Sequence, residues 1–75
     1  MPLLHKRIRR LRLELGLTQE SFSERFGFSY KYYQKIESGR KKQIWLETVE
    51  RLAKAFGLEA WELIAKEEPK LRKKN

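Results

Sequence analysis

The most chemically suggestive stretch of this sequence is FGFSYKYYQKIESG, which spans residues 26–39. It places three tyrosines, two lysines and one glutamine within the length of a single helix. Phenol, ammonium and amide groups can donate hydrogen bonds to bases and phosphates, but aromatic rings can equally fill a protein core. The stretch is therefore either core with an ordinary solvated surface, or a surface built to touch a ligand.

Helical geometry divides these side chains into two faces. At roughly 100° per residue, a polar face spans an arc of about 140°. It consists of Tyr30, Lys31, Gln34, Lys35 and Ser38. The opposite face spans about 100° and carries Tyr32, Tyr33 and Ile36. We expect Ile36 and Tyr33 to face the core, with Tyr32 at its edge.

The polar face has groups suited to reading the edges of DNA bases. Lysine donates hydrogen bonds to guanine O6 and N7, and glutamine pairs with adenine N6 and N7. Tyr30, near the start of the helix, can pack on a thymine methyl group or donate its hydroxyl to a phosphate. An ordinary solvated face explains the same residues, so this face alone does not decide between the two interpretations.

Four glycines divide the chain into segments of helical length. Each follows a run of apolar residues at helical spacing: Gly16, Gly27, Gly39 and Gly57. Glycine is favoured just past a helix end because it adopts positive φ without a Cβ clash. No segment alternates as a β-strand does. The sequence predicts an all-α fold of five helices, in which Leu58, Trp61 and Ile64 make the apolar contacts of the last.

Thr18 and Ser29 are well placed to cap the second and third helices. An apolar residue precedes each cap and another occupies the fourth helical position, as in a hydrophobic staple. The two pairs are Leu17 with Phe22 and Phe28 with Tyr33. The connection FGFS is short and contains glycine, which turns the second of these helices sharply across the first. This is the geometry of a helix-turn-helix, whose second helix enters the DNA major groove.

Size and charge restrict the class of protein. Seventy-five residues make one small domain. The net charge is +8, and residues 1–12 hold five basic residues and no acid. Clustered positive charge indicates a polyanionic partner, with nucleic acid ahead of an anionic membrane. No apolar run approaches the roughly 20 residues of a membrane span, and no signal-peptide pattern occurs, so we expect a cytoplasmic protein.

Residue types that usually carry catalysis or bind metal are scarce. The sequence has no cysteine and a single histidine, His5, so neither a disulfide framework nor a metal site is expected. Because nucleophile–base pairs and phosphate-cradling glycine loops are also absent, we predict no enzyme activity and no cofactor. Trp45 and Trp61 are interpreted as core or dimer contacts. We expect a domain over residues 1–66 and a basic, flexible tail over residues 67–75.

Many positions at fixed spacing resemble the phage repressor and Cro-like helix-turn-helix domains, the XRE family. The resemblance rests on RIRRLRLELGLTQESFSERFGFSYKYYQKIESGRKK and LETVERLAKAFGLEAWELI, and covers about residues 6–65. It implies a compact five-helix lambda-repressor-like fold that binds double-stranded DNA, usually as a symmetric homodimer that regulates transcription. It also implies a bacterial or phage-encoded, nucleoid-associated protein.

The resemblance assigns roles by position. The residues expected to face bases are Tyr30, Lys31, Gln34 and Lys35. Those expected to contact phosphates are Gln19, Ser29, Tyr33, Arg40, Lys41 and Lys42. Tyr33 replaces the usual isoleucine, and its greater length should carry its hydroxyl to the surface. Arg12 and Glu37 match a pair that forms a structural ion bridge between the first and third helices. Trp45 stands where a serine or threonine cap often begins the fourth helix.

The leading hypothesis is a sequence-specific transcriptional regulator of the repressor, restriction–modification controller or antitoxin type, whose third helix reads an inverted repeat. A protein–protein interaction module that kept the fold without reading DNA is the alternative, and a protein partner is possible in either case. The basic residues Lys31, Lys35 and 40–42 speak against that alternative. A helical bundle lying on anionic membranes would need a long amphipathic helix, which short glycine-terminated segments do not offer.

Overall fold

The computed structural model describes residues 4–41 and 43–65. The helices of these residues are α1 Leu4–Glu14, α2 Gln19–Phe26, α3 Tyr30–Ser38, α4 Leu46–Ala55 and α5 Ala60–Ile64. The described residues contain no strand, so the prediction of an all-α, five-helix fold is confirmed. None of these helices is long and apolar enough to cross a bilayer. The predicted phosphate contact of Lys42 and the predicted flexible tail lie outside the described residues.

Local side-chain hydrogen bonds begin α2 and α3. The Thr18 hydroxyl accepts from the Ser21 backbone N–H at 3.0 Å, and the Ser21 hydroxyl accepts from the Thr18 N–H at 2.9 Å. This reciprocal pair is a capping box. Ser29 Oγ accepts from the Tyr32 N–H at 3.3 Å, so both predicted caps are present. The fourth helix starts differently, because Trp45 occupies the capping position without a side-chain hydrogen bond.

The turn between α2 and α3 depends on Gly27 and Ser23. Gly27 has a φ of 76°, a left-handed conformation that a Cβ disfavours. The backbone N–H groups of Gly27 and Phe28 both donate to the Ser23 carbonyl, which closes the end of α2. Ser23 is itself buried, and its hydroxyl donates to the Gln19 carbonyl at 2.8 Å. A small side chain that satisfies its own polar group here lets the two helices pack closely.

Aromatic rings from α2, α3 and the end of α4 form the centre of the core. The Phe22 ring is completely buried, and its centroid lies 4.8 Å from those of Phe26 and Tyr33 and 5.3 Å from that of Phe56. The Phe28 ring centroid lies 6.1 Å from those of Phe22 and Tyr33. Phe28 and Tyr33 are one of the two predicted staple pairs. The remaining buried apolar residues are Leu4, Ile8, Leu11, Ile36, Val49, Leu52, Ala53, Leu58 and Leu63. The Phe22 ring thus holds α2, α3 and the end of α4 together.

The two tryptophans do not belong to this core. Trp45 is 78% exposed and Trp61 is 66% exposed, so their interpretation as core residues is wrong. On α5 the buried side chain is Leu63, which lies about 200° around the helix from Trp61. A five-residue helix can bury only one face, and this one turns Leu63 inward and leaves Ile64 exposed. The role of the tryptophans as dimer contacts stays a prediction.

Phe22→Ala should lower the free energy of unfolding by about 3–5 kcal/mol, because it removes the ring around which the core packs and leaves a cavity. Trp45→Ala is the matched control, since it removes a larger ring from an exposed position and should cost within about 0.5 kcal/mol. Urea unfolding followed by circular dichroism measures both, with unfolding in the absence of urea counted as full loss. Equal losses in the two variants would contradict the assigned core.

Candidate nucleic-acid interface

The outward face of α3 carries all four residues that the sequence suggested for base reading. The side chains of Tyr30, Lys31, Gln34 and Lys35 are exposed. On the other side, Tyr33 and Ile36 are 0% and 1% exposed. Within the described residues, the side chains of Lys31, Gln34 and Lys35 make no hydrogen bond or ion pair. Their donors are therefore available to a ligand, and α3 has the rotation that the residue spacing predicts.

A buried ion pair fixes α3 to the first helix. Arg12 Nη2 donates to Glu37 Oε1 at 2.7 Å, and Arg12 Nε donates to Oε2 at 2.9 Å, so the contact is bidentate. The remaining Arg12 nitrogen, Nη1, donates to the Leu17 carbonyl at 2.6 Å. Gln19 Nε2 donates to Glu37 Oε1 at 3.1 Å. The predicted pair is present, and it joins α1, the loop that follows it, α2 and α3.

Both members of this pair are charged at neutral pH. Burial opposes ionisation of Glu37, but hydrogen bonds, led by that from Arg12, outweigh it and hold the pKa of Glu37 below its usual value. The hydrogen bond to Glu37 raises the pKa of Arg12 in turn. Because its charge is neutralised at close range, Glu37 leaves the adjoining surface of α3 positive.

Tyr33 does not contact phosphate, and that prediction is wrong. Its side chain is completely buried against Phe22 and Phe28, because position 33 lies on the inward face of α3. The extra length over isoleucine runs through the core toward Arg12 and Glu37 and does not reach the surface. The hydroxyl meets no partner at acceptable hydrogen-bond geometry in the described residues, although both charged groups are near enough to influence it. Burial raises the pKa of the Tyr33 phenol.

Two exposed cations follow the C-terminal end of α3. Arg40 Nε donates to Ser38 Oγ at 3.3 Å, and Lys41 Nζ lies 5.4 Å from the centre of the Tyr32 ring. These contacts hold the Arg40 and Lys41 side chains against α3. Their contact with phosphate stays a prediction.

The other two phosphate candidates lie at helix starts. Gln19 is half-buried at the first position of α2, with its amide nitrogen directed at Glu37. Ser29 is exposed and caps α3. Both stand where backbone N–H groups of a helix N-terminus point outward, an arrangement that suits an anion. The contacts of Gln19 and Ser29 with phosphate stay predictions.

An open cleft beside α3 includes a residue that the sequence did not single out. Its walls are formed by Arg9, Arg12, Thr18, Gln19, Glu20 and Tyr30. Gln19 and Tyr30 were expected at the interface, whereas Arg9 and Glu20 were not. The sequence does carry one signal for Arg9. Arg9 precedes Arg12 by three residues, so both lie on the same side of α1.

The single histidine packs against the end of the third helix. A Cβ added to Gly39 would lie 3.1 Å from atoms of the His5 ring, so the ring rests directly on the Gly39 backbone. In residues 4–41 and 43–65 no group of three or more histidine or acidic side chains could hold a metal ion. The observed contact of His5 is thus its packing against the end of α3.

A model of the helix-turn-helix family matches residues 8–60, which include α2, α3 and α4 in full. The chain is also similar to the "Uncharacterized HTH-type transcriptional regulator y4dJ" of Sinorhizobium fredii. The two are 44% identical over 55 residues, which cover 73% of this chain and 70% of that protein. No solved structure matches significantly.

Glu37→Gln should remove a pH-dependent part of the stability. Because the folded-state pKa of Glu37 is lowered, its contribution is fully present above the unfolded value of about 4.3 and is lost as the pH falls through the folded value. The free energy of unfolding of the wild type should exceed that of Glu37→Gln by roughly 3–5 kcal/mol at pH 7, and the difference should shrink below about pH 4. Urea titrations between pH 7 and 3 measure it. A constant difference over that range would contradict the lowered pKa.

Proposed function

The chain belongs to the helix-turn-helix family, and we propose that it regulates transcription by reading a specific duplex sequence with α3. One observation carries the proposal. Lys31, Gln34 and Lys35 present donors that no group of the described residues satisfies, on the outward face of a helix whose inward face is anchored by Ile36. Donors that protein groups do not satisfy, on a helix that projects from a basic domain, suit the major groove.

Each side chain of the polar face has a chemical counterpart on a base edge. Lys31 and Lys35 donate to guanine O6 and N7, and Gln34 forms paired hydrogen bonds with adenine N6 and N7. Tyr30 packs on a thymine methyl group at the end of the site. Each well-placed contact contributes about 1–3 kcal/mol of discrimination against the wrong base. Sequence preference therefore comes from α3.

The basic residues around α3 supply affinity that does not depend on sequence. Arg40 and Lys41, with Lys42 next to them in the chain, contact the phosphates that border the groove. Gln19 and Ser29 add contacts from the starts of α2 and α3. Because each such contact releases condensed counterions, binding weakens steeply with salt. The net charge of +8 is consistent with this mode of binding.

Two copies of the chain bind an inverted repeat as a homodimer. The two reading helices then enter successive major grooves on one side of the duplex, roughly 34–36 Å apart. The protein is bacterial or phage-encoded and acts as a repressor, a restriction–modification controller or an antitoxin at the nucleoid in the cytoplasm. The name of the relative from Sinorhizobium fredii, a transcriptional regulator, supports a role in regulation.

A second candidate function is a protein–protein interaction module. It is favoured by the adjacent residues Trp45 and Leu46, which are 78% and 65% exposed at the start of α4. Large apolar side chains exposed side by side are typical of contact surfaces. The two candidates differ in their need for the cations of α3, since a protein-binding surface at α4 requires none of them.

Selection from a randomised duplex pool at two salt concentrations tests the proposal. We expect enrichment of a palindrome whose half-sites lie about one helical turn apart. Binding without sequence preference would contradict specific reading. An absence of binding to any duplex would favour the interaction module, whose contact surface would include Trp45.

Lys35→Ala and Arg40→Ala should have different effects on the selected duplex. Lys35→Ala should relax discrimination at one base position, because a base contact is lost, at a cost of about 1–3 kcal/mol. Arg40→Ala should weaken all sequences alike and reduce the salt slope by about 0.9, because a phosphate contact is lost. Affinities for the selected duplex and its single-base variants, measured across a salt series, separate the two. Identical behaviour of the two variants would contradict the division into reading and anchoring residues.

A further inference from the structure

The first helix contributes a wall to the cleft at the edge of the reading face. Arg9 on α1 lines it together with Thr18, Gln19 and Glu20 around the start of α2, and with Tyr30 at the start of α3. We propose that Arg9 binds a DNA phosphate at this cleft, which makes α1 an anchoring element beside the helix-turn-helix. This inference rests on the proposed function, because it assumes that α3 enters the major groove.

The charge of Arg9 is free to act on a ligand. Arg9 is exposed, and it has no hydrogen bond or ion pair within the described residues. Its neighbours on α1 differ, because Arg10 pairs with Glu14 and Arg12 pairs with Glu37. An unpaired guanidinium is the group best suited to phosphate, since its planar donors match two phosphate oxygens at once.

The position of Tyr30 ties the cleft to the groove. Tyr30 is the first residue of the polar face of α3 and also lines the cleft, so the cleft opens at the border of that face. A duplex that receives α3 in its major groove brings the sugar-phosphate backbone along the border of the helix. The strand that passes Tyr30 therefore reaches the mouth of the cleft, which Arg9 lines together with the start of α2.

An acidic residue in the same cleft provides a second test of the inference, with an expected effect of opposite sign on affinity. Glu20 is exposed in the first turn of α2 and lines the cleft with Arg9, and no ion pair joins it to another described residue. Its carboxylate repels a phosphate at the position that Arg9 attracts. Removal of either charge should thus change affinity with opposite sign if one phosphate sits between them.

Arg9→Ala should weaken binding of the selected duplex on the order of 3–10-fold at moderate salt and reduce the salt slope by about 0.9, for all sequences alike. Arg9→Lys should retain most of the affinity, because the positive charge remains. Glu20→Gln should tighten binding. Lys54→Ala is the control, since it removes one exposed positive charge from α4, outside the cleft, and should leave the salt slope unchanged. Fluorescence anisotropy across a salt series measures all four.

A contact with one phosphate can be identified by neutralising phosphates individually. In a series of duplexes that each carry one methylphosphonate, substitution at one position should weaken binding by the wild type. The same substitution should not weaken binding by Arg9→Ala any further, as expected for two partners of one interaction. Circular dichroism should show that Arg9→Ala folds as the wild type does, because Arg9 is exposed and pairs with no other described residue.

The outcomes separate this inference from the proposed function. If the wild type binds no duplex, both are wrong. If the wild type selects a palindrome and Lys35→Ala loses discrimination, but Arg9→Ala keeps the wild-type affinity and salt slope, the phosphate contact of Arg9 alone is overturned. The same conclusion follows if Lys54→Ala and Arg9→Ala lower the affinity and the slope equally.

Discussion

The bidentate contact between Arg12 and Glu37 is the constraint on which the proposed interface depends. It is buried, it joins α1 to α3, and through Gln19 and the Leu17 carbonyl it reaches α2 and the loop before it. A buried ion pair adds little net stability, because desolvation offsets most of the attraction. Its geometry is restrictive, however, since two parallel hydrogen bonds tolerate little rotation or sliding of one helix against the other. We infer that this pair orients α3, whereas the aromatic core around Phe22 stabilises it.

Orientation affects more than the reading face, because other parts of the interface are defined relative to α3. The cleft that contains Arg9 exists only where α1, the start of α2 and the start of α3 meet. The cations after α3 are held against Ser38 and Tyr32, so their position also follows that helix. Base contacts and phosphate contacts must fit one duplex at the same time. A helix that was stable but free to tilt would satisfy one set at the expense of the other.

The sequence was informative wherever local geometry decides the outcome. The caps Thr18 and Ser29 and the rotation of α3 follow from residue types at fixed spacing, and the ion pair follows from the family resemblance. It was uninformative wherever tertiary packing decides. Apolar character could not show that Trp45 is left exposed by the described residues, since burial depends on where another element passes. Tyr33 was correctly placed inward by spacing, but the depth of core available for its hydroxyl is a property of the assembled helices. The cleft of Arg9 likewise arises only when three elements meet.

Replacing Arg12 and Glu37 together with leucine tests the central claim most directly. The quantities to measure are the free energy of unfolding and the ratio of affinities for the selected and an unrelated duplex. Because replacing a buried ion pair by apolar residues of similar volume is often neutral or stabilising, we expect the free energy of unfolding to fall by much less than the roughly 3–5 kcal/mol expected for Glu37→Gln, or to rise. We expect the affinity ratio to fall by about tenfold or more, equivalent to about 1.4 kcal/mol of lost discrimination. A doubly substituted protein that folds and keeps the wild-type ratio would show that α3 is oriented without the pair, and would contradict the account.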